Sequence, residues 1–202
     1  MTAPRTTTAV ADAGSARIVR AAQRGDAQAC DELARSHQKS AFLFALQLTG
    51  HRDDAMEIAQ EAMLKFFRTL GRFDANRPVR PWLMRIVRNL VYDRGRRTRV
   101  RRSIPLQNDP EAVVIDPPDP SPNPEQRAAQ HELQHMLWQA MSELPSHYRE
   151  VVALRDYMDL SYREIALALK IPTGTVMSRL HRARTLLRDA VSRLTSGKAR
   201  DG

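Results

Sequence analysis

Between residues 82 and 94, arginines are interleaved with aromatic and apolar side chains. Helical spacing would bring Arg85, Arg88, Asn89 and Tyr92 together on one face. Guanidinium groups hold phosphates, an aromatic ring stacks on an unpaired base, and a carboxamide can hydrogen-bond a base edge. Asn89 is the best placed of these for base reading, and Trp82 suits either a stacking platform or a core. The arginine run from Arg94 to Arg102 suits sequence-independent phosphate contact. A second group lies near the C-terminus. There Val176, Leu180, Ala183 and Leu187 share one helical face, with Ser178, His181, Arg182 and Thr185 opposite and Arg179 and Arg184 on the flanks. Such a helix can pack by one side and enter a major groove by the other. Arg182 could pair with guanine in bidentate fashion, and Ser178 or Thr175 could bond a phosphate or a base edge. A third group, His131-Glu132-Leu133-Gln134-His135, has the spacing of a zinc-protease helix. Its stripe Leu133, Leu137 and Ala140 is expected to face the core and leave both histidines toward solvent. No third ligand is identifiable, so a metalloprotease is the weakest reading, and no catalytic residue, metal or cofactor is expected.

The charge pattern supports the first two groups. The chain has 202 residues and a net charge of +9. Residues 77–102 hold ten arginines against Asp93 alone, residues 103–126 hold five acids and no base, and residues 161–202 hold nine basic and three acidic side chains. Two cationic blocks with an anionic spacer between them imply two contacts on a polyanion. One cysteine, Cys30, excludes a disulfide framework and a Cys-rich zinc module, and suits a reducing cytoplasm. No apolar run approaches the ~18 residues of a membrane span, and the N-terminus lacks a signal-peptide pattern. A soluble cytoplasmic protein without membrane insertion is expected.

The elements that must position these residues are all helical. Seven of the twelve prolines fall within 103–126, where missing donors and restricted backbone exclude a helix. The expected organisation is therefore an all-α chain of two small domains, 17–102 and 127–195, joined by a Pro-rich acidic linker at 103–126, with disordered tails at 1–16 and 196–202. In the first domain, helical periodicity covers 29–48 with a polar break at 36–40. It resumes through Ala55, Ile58, Ala59, Ala62, Phe66 and Leu70 behind an Asp53 or Asp54 cap, and after a loop at 74–80 it runs through 82–94. The second domain is expected to hold helices at 125–144, 147–155 and about 162–169, and a long one at 173–194. Ser161 and Glu164 form a capping-box pair, and the short turn Lys170-Ile171-Pro172 completes a helix-turn-helix.

These residues resemble the extracytoplasmic-function, or group IV, sigma factors of bacterial RNA polymerase, within the sigma-70 family. The likeness spans about residues 17–194. It is carried by 54–62 (DAMEIAQEA), Phe73 and 80–89 (RPWLMRIVRN), then Leu144-Pro145, 160–166 (LSYREIA), 171–176 (IPTGTV) and 178–184 (SRLHRAR). It implies a region 2 helical bundle that docks on core polymerase, at the β′ clamp, through Asp54, Glu57, Ile58, Gln60, Glu61 and Leu64. The loop residues Asp74, Asn76, Arg77 and Arg80, with Asn89, would capture a flipped −10 base, while Trp82, Arg85, Arg88 and Tyr92 would line the opened strand. It implies a region 4 domain reading −35 duplex DNA with Thr175, Met177, Ser178, Arg179, His181, Arg182 and Arg184. The partners implied are core RNA polymerase (β′ clamp and β subunits), promoter DNA and an anti-sigma factor, with no enzymatic activity. Two positions depart from the family. Met177 stands where many members carry arginine, and His181 where an aromatic is common. A helix-turn-helix regulator acting without polymerase would use the second domain equally well, but would leave the 54–61 helix and the arginine-rich first domain without a role.

Overall fold

A computed structural model describes residues 8–101 and 124–198. These form eight helices and a turn of π-helix in the order α1 (Thr8–Gln23), α2 (Ala27–Thr49), α3 (Arg52–Leu70), α4 (Val79–Arg101), α5 (Pro124–Glu143), α6 (Ser146–Val152), the π turn (Ala153–Tyr157), α7 (Tyr162–Leu169) and α8 (Thr173–Lys198). The all-α expectation holds among the described residues. The linker expected at 103–126 lies outside them, except that Pro124 to Gln126 open α5. Proline is tolerated at a first helical position because its missing N–H has no partner there anyway. Two expected tails are shortened: α1 starts at Thr8 inside 1–16, and α8 continues to Lys198 inside 196–202.

Helices α1 to α4 pack around Val19, Leu33, Phe44, Ile58, Phe66, Leu83 and Val87, all with at most 3% exposure. The expected break at 36–40 does not occur, and α2 runs unbroken. Ser36 bonds back to the carbonyls of Glu32 (2.8 Å) and Leu33 (3.1 Å), so a hydroxyl able to compete with the helix joins it instead. His37 takes the register position between the buried Leu33 and Ala41, which is why the apolar period looks interrupted. Burial, then the neighbouring Arg80, lowers the His37 pKa to about 4. Helix α3 is preceded by His51, whose side chain makes no capping bond, so Asp53 and Asp54 sit in the first turn rather than at the cap. Their charge is still favourable at the positive end of the helix. Helix α4 starts at Val79, earlier than expected, with Pro81 in its first turn, and carries the arginine run as helix as far as Arg101.

Helices α5 to α8 enclose Met141, Leu144, Val151, Leu154, Ile165, Leu169, Val176, Leu180 and Ala183. The expected inward stripe of α5 is partly wrong: Leu133 and Leu137 are 54% and 41% exposed, and the half-buried Trp138 packs on the core instead. Ser161 and Glu164 form the capping box as expected, the Ser161 N–H donating to Glu164 at 2.8 Å. Helix α7 ends on Lys170 in a left-handed conformation (φ 56°), with its N–H donating to the Ala166 carbonyl. Pro172 then accepts from the Thr175 and Val176 N–H groups to start α8. The side chain of Lys170 is exposed, so its backbone strain has no compensating contact. A Lys170→Gly change should therefore stabilise the chain by about 0.5–1 kcal/mol; chemical denaturation showing a loss instead would place a needed contact on Lys170.

Candidate nucleic-acid interface

The candidate site has an outer part and a covered part. The outer part is α8. Val176, Leu180 and Ala183 lie in the core at 2% exposure or less, which turns Met177, Ser178, His181 and Arg182 outward as exposed side chains. Thr175 and Arg179 are half-buried. Ser178 donates to the Thr175 carbonyl at 3.1 Å. Arg184 donates to Asp156 of the π turn at 3.1 Å, so part of its charge is spent holding α8 to its own domain. The face left over is polar, cationic at Arg182 and open to solvent. It suits a major groove.

The loop before α4 is held from several sides. Gln23 donates to the carbonyls of Leu70 (2.9 Å) and Phe73 (2.7 Å). Phe73 stacks on Trp82 with centroids 4.2 Å apart and planes 11° from parallel, and Trp82 also meets Phe66 at 5.0 Å. Of the two roles open to Trp82, this packing favours support of the loop, since one ring face is taken by Phe73. Asp74 accepts from the Asn76 N–H at 3.0 Å and lies 3.5 Å from Arg77. Asn76 accepts from Arg20 at 2.5 Å. Asn89, Asp74, Asn76 and Arg77 are exposed, and Arg80 is half-buried.

The covered part lies on α4 itself. Arg85, Arg88 and Tyr92 do share one face, but that face packs on the second domain. Arg88 pairs with Glu150 on α6 at 2.7 Å, and the two side chains are 30% and 1% exposed. Its guanidinium also lies over the Tyr92 ring, 4.9 Å from the centroid. Burial chiefly raises the Tyr92 pKa above the ordinary tyrosine value, and Ser146 and Glu150 are its hydrogen-bonding neighbours. Arg85 donates to the carbonyls of Leu167 and, at 3.4 Å, Ala168. Those carbonyls belong to the last turn of α7, where the helix leaves acceptors unpaired and its dipole is negative. Arg85 and Arg88 are thus each met by an anionic or dipolar group from the other domain, whereas Arg94 and Arg96 of the following run pair within their own domain. Glu150 is the residue that the sequence reading missed. Its one signal was position: an acid four residues before the fully buried Leu154, on the face that turns inward.

Helix α3 presents a different chemistry. Glu57, Gln60, Glu61 and Leu64 are exposed, Leu64 by 59%. Arg94 of α4 reaches Asp54 at 3.0 Å and Glu57 at 2.6 Å. Ile58, expected on this surface, is 1% exposed and belongs to the core, because the 55–58–62–66 period faces inward. The zinc reading gains no support: no group of three or more His, Cys, Asp or Glu side chains among the described residues could hold a metal ion. His135 and Leu133 are both exposed, and the side chain of His131 lies outside the described residues. Cys30 is half-buried, with its Sγ 3.9 Å from the Ala22 carbonyl. No described helix is long and apolar enough to cross a membrane.

Comparison with known proteins adds a lineage to this geometry. The family model for Sigma-70 region 2 matches residues 33–101, and that for Sigma-70, region 4 matches residues 134–187. The ECF RNA polymerase sigma factor SigE of Mycolicibacterium smegmatis is 36% identical over 169 residues, 84% of this chain; the chain spans 64% of that relative, just under two thirds. The RNA polymerase sigma-H factor of Pseudomonas aeruginosa is 31% identical, the match covering 88% of this chain and 94% of that protein. Among solved structures, CnrH in complex with the cytosolic domain of CnrY aligns with a TM-score of 0.65 at 21% identity, covering 89% of this chain and 97% of that one. The sigma factor RpoE in complex with the anti-sigma factor NepR from Bartonella quintana gives 0.63 at 23%, covering 80% and 96%. At such identities these two likenesses speak for the fold.

The covered pair makes a direct prediction. Arg88→Ala leaves a carboxylate buried without its cation and should cost about 2–3 kcal/mol. Removing Glu150 as well should restore part of that loss. In a double-mutant cycle read by chemical denaturation, a coupling of about 2 kcal/mol is expected; additive single losses would mean the two groups do not interact.

Proposed function

The chain belongs to the extracytoplasmic-function sigma factors of the sigma-70 family, and from that premise we propose that it binds core RNA polymerase and directs promoter-specific initiation. The observation that carries the reading is the unequal state of its two cationic faces. The α8 face is open, whereas the α4 face is closed by the second domain through Glu150 and the end of α7. A regulator acting alone on duplex DNA would have no need of a covered second face.

In this reading, polymerase docks on the exposed side of α3, at Glu57, Gln60, Glu61 and Leu64, with Asp54 beside them under Arg94. Helix α8 then reads −35 duplex DNA, with Arg182 suited to a bidentate contact to guanine and Ser178 to a phosphate or a base edge. The −10 region is opened and one base is drawn from the stack. Flipping a base costs a few kcal/mol, so a pocket that repays this for one base makes melting depend on sequence. The loop residues Asp74, Asn76, Arg77 and Arg80, with the exposed Asn89, form the proposed pocket. The neighbouring strand runs along Arg85, Arg88 and Tyr92 once the second domain has moved away. That movement exchanges one anionic partner for another: the Glu150 carboxylate for a backbone phosphate. Family membership also implies an anti-sigma factor as partner, and a protein that acts as an initiation factor without catalysing a reaction of its own.

Runoff transcription with core polymerase on a promoter library tests the proposal. Transcripts should depend on added protein. Asn89→Ala should relax selectivity at the −10 element, and Arg182→Ala should weaken promoters that depend on the −35 element, by about tenfold each, the value of one base contact. Transcription indifferent to the added protein would overturn the reading. Equal losses on all promoters from both variants would reduce these residues to phosphate contacts.

A further inference from the structure

Met177 is 54% exposed in the second turn of α8. It is absent from the core that holds Val176 and Leu180 on the same helix. Ser178, His181 and Arg182 around it are polar or cationic and exposed, so a large apolar side chain stands among groups suited to a groove. A helical side chain leans toward the turn before its own Cα, which for Met177 contains Thr173 and Gly174. A Cβ placed on Gly174 would meet nothing within 4 Å, so the surface of the turn before Met177 is open at that position. Thioether sulfur donates no hydrogen bond and accepts only weakly. It therefore has little to offer the N7 and O6 acceptors of guanine or the amino groups of adenine and cytosine. The major groove presents one strongly apolar feature, the thymine C5-methyl.

We infer that Met177 is a specificity-determining residue that selects thymine, by packing its thioether on the C5-methyl, at the −35 position facing the first turns of α8. The inference rests on the proposal that α8 reads this element. An arginine here would donate to guanine. Methionine gives the same helix a preference for A·T at that step, and the contact adds no charge.

The test uses the full chain with core polymerase and duplexes randomised across the −35 element. In the preferred duplex each thymidine is replaced in turn by deoxyuridine, which removes only the methyl group. One replacement should weaken wild-type binding by about threefold to fivefold, the worth of one buried methyl. The same replacement should leave Met177→Ala unaffected, and Met177→Arg should shift the preference at that position to guanine. Identical deoxyuridine profiles for wild type and Met177→Ala would overturn the inference while leaving promoter reading by α8 intact. A wild type with no −35 preference at all would overturn the assignment of α8, and the inference with it.

Discussion

A carboxylate shut away from water needs a cation, and Glu150 has one in Arg88 of the other domain. Taking both ions out of water costs several kcal/mol each, and their attraction repays that cost only when the geometry is good. Such a pair contributes little net stability when intact, yet is expensive to break on one side alone. This asymmetry suits a latch. The closed arrangement is specified closely, because only one register brings the Arg88 guanidinium to Glu150 and Arg85 to the end of α7. Opening returns Glu150 to water and Arg88 to water or a phosphate, and the hydration regained offsets the attraction between them. The pair therefore fixes where the domains sit without making their separation prohibitive.

Charge is distributed in keeping with this. The net +9 of the chain is concentrated in two blocks, and the structure gives them different fates. On α8 Ser178, His181 and Arg182 face solvent, while Arg184 is tied to Asp156 and Arg193 to Glu143. On α4 Arg85 and Arg88 face the second domain, and Arg94, further along, bridges to Asp54 and Glu57 of α3. Arg94 thus ties the proposed polymerase surface on α3 to the helix that carries the proposed strand surface. A partner that engages Glu57 competes with Arg94, a residue of the helix that the second domain covers.

The parts of this architecture legible in the sequence are those set by local physics. The Ser161–Glu164 capping box, the turn before Pro172 and the two-faced α8 follow from hydrogen-bond reach and helical period, and the structure has them. Of the four residues expected on one face of α4, Arg85, Arg88 and Tyr92 lie together under the second domain and Asn89 is exposed. That covering is not readable, because Arg88 and Glu150 are 62 residues apart and no periodicity reports on such a contact. Family resemblance assigns Ile58 to the outer surface, although its own spacing with Ala55, Ala62 and Phe66 points inward; there the periodicity is the better guide. The continuity of α2 is hidden by His37, a polar residue at an apolar position, and the rotation of α5 by leucines that stay exposed. In each case tertiary packing decides what local preference leaves open.

In the proposed reading the second domain covers α4 in the free chain and leaves it when polymerase binds. A direct measurement is the distance between spin labels placed at the exposed positions Arg68 and Arg163, in a Cys30→Ser background. The free chain should give one short, narrow distribution, and addition of core polymerase should replace it with a longer one. An unchanged short distance in a complex that still initiates transcription would contradict the account.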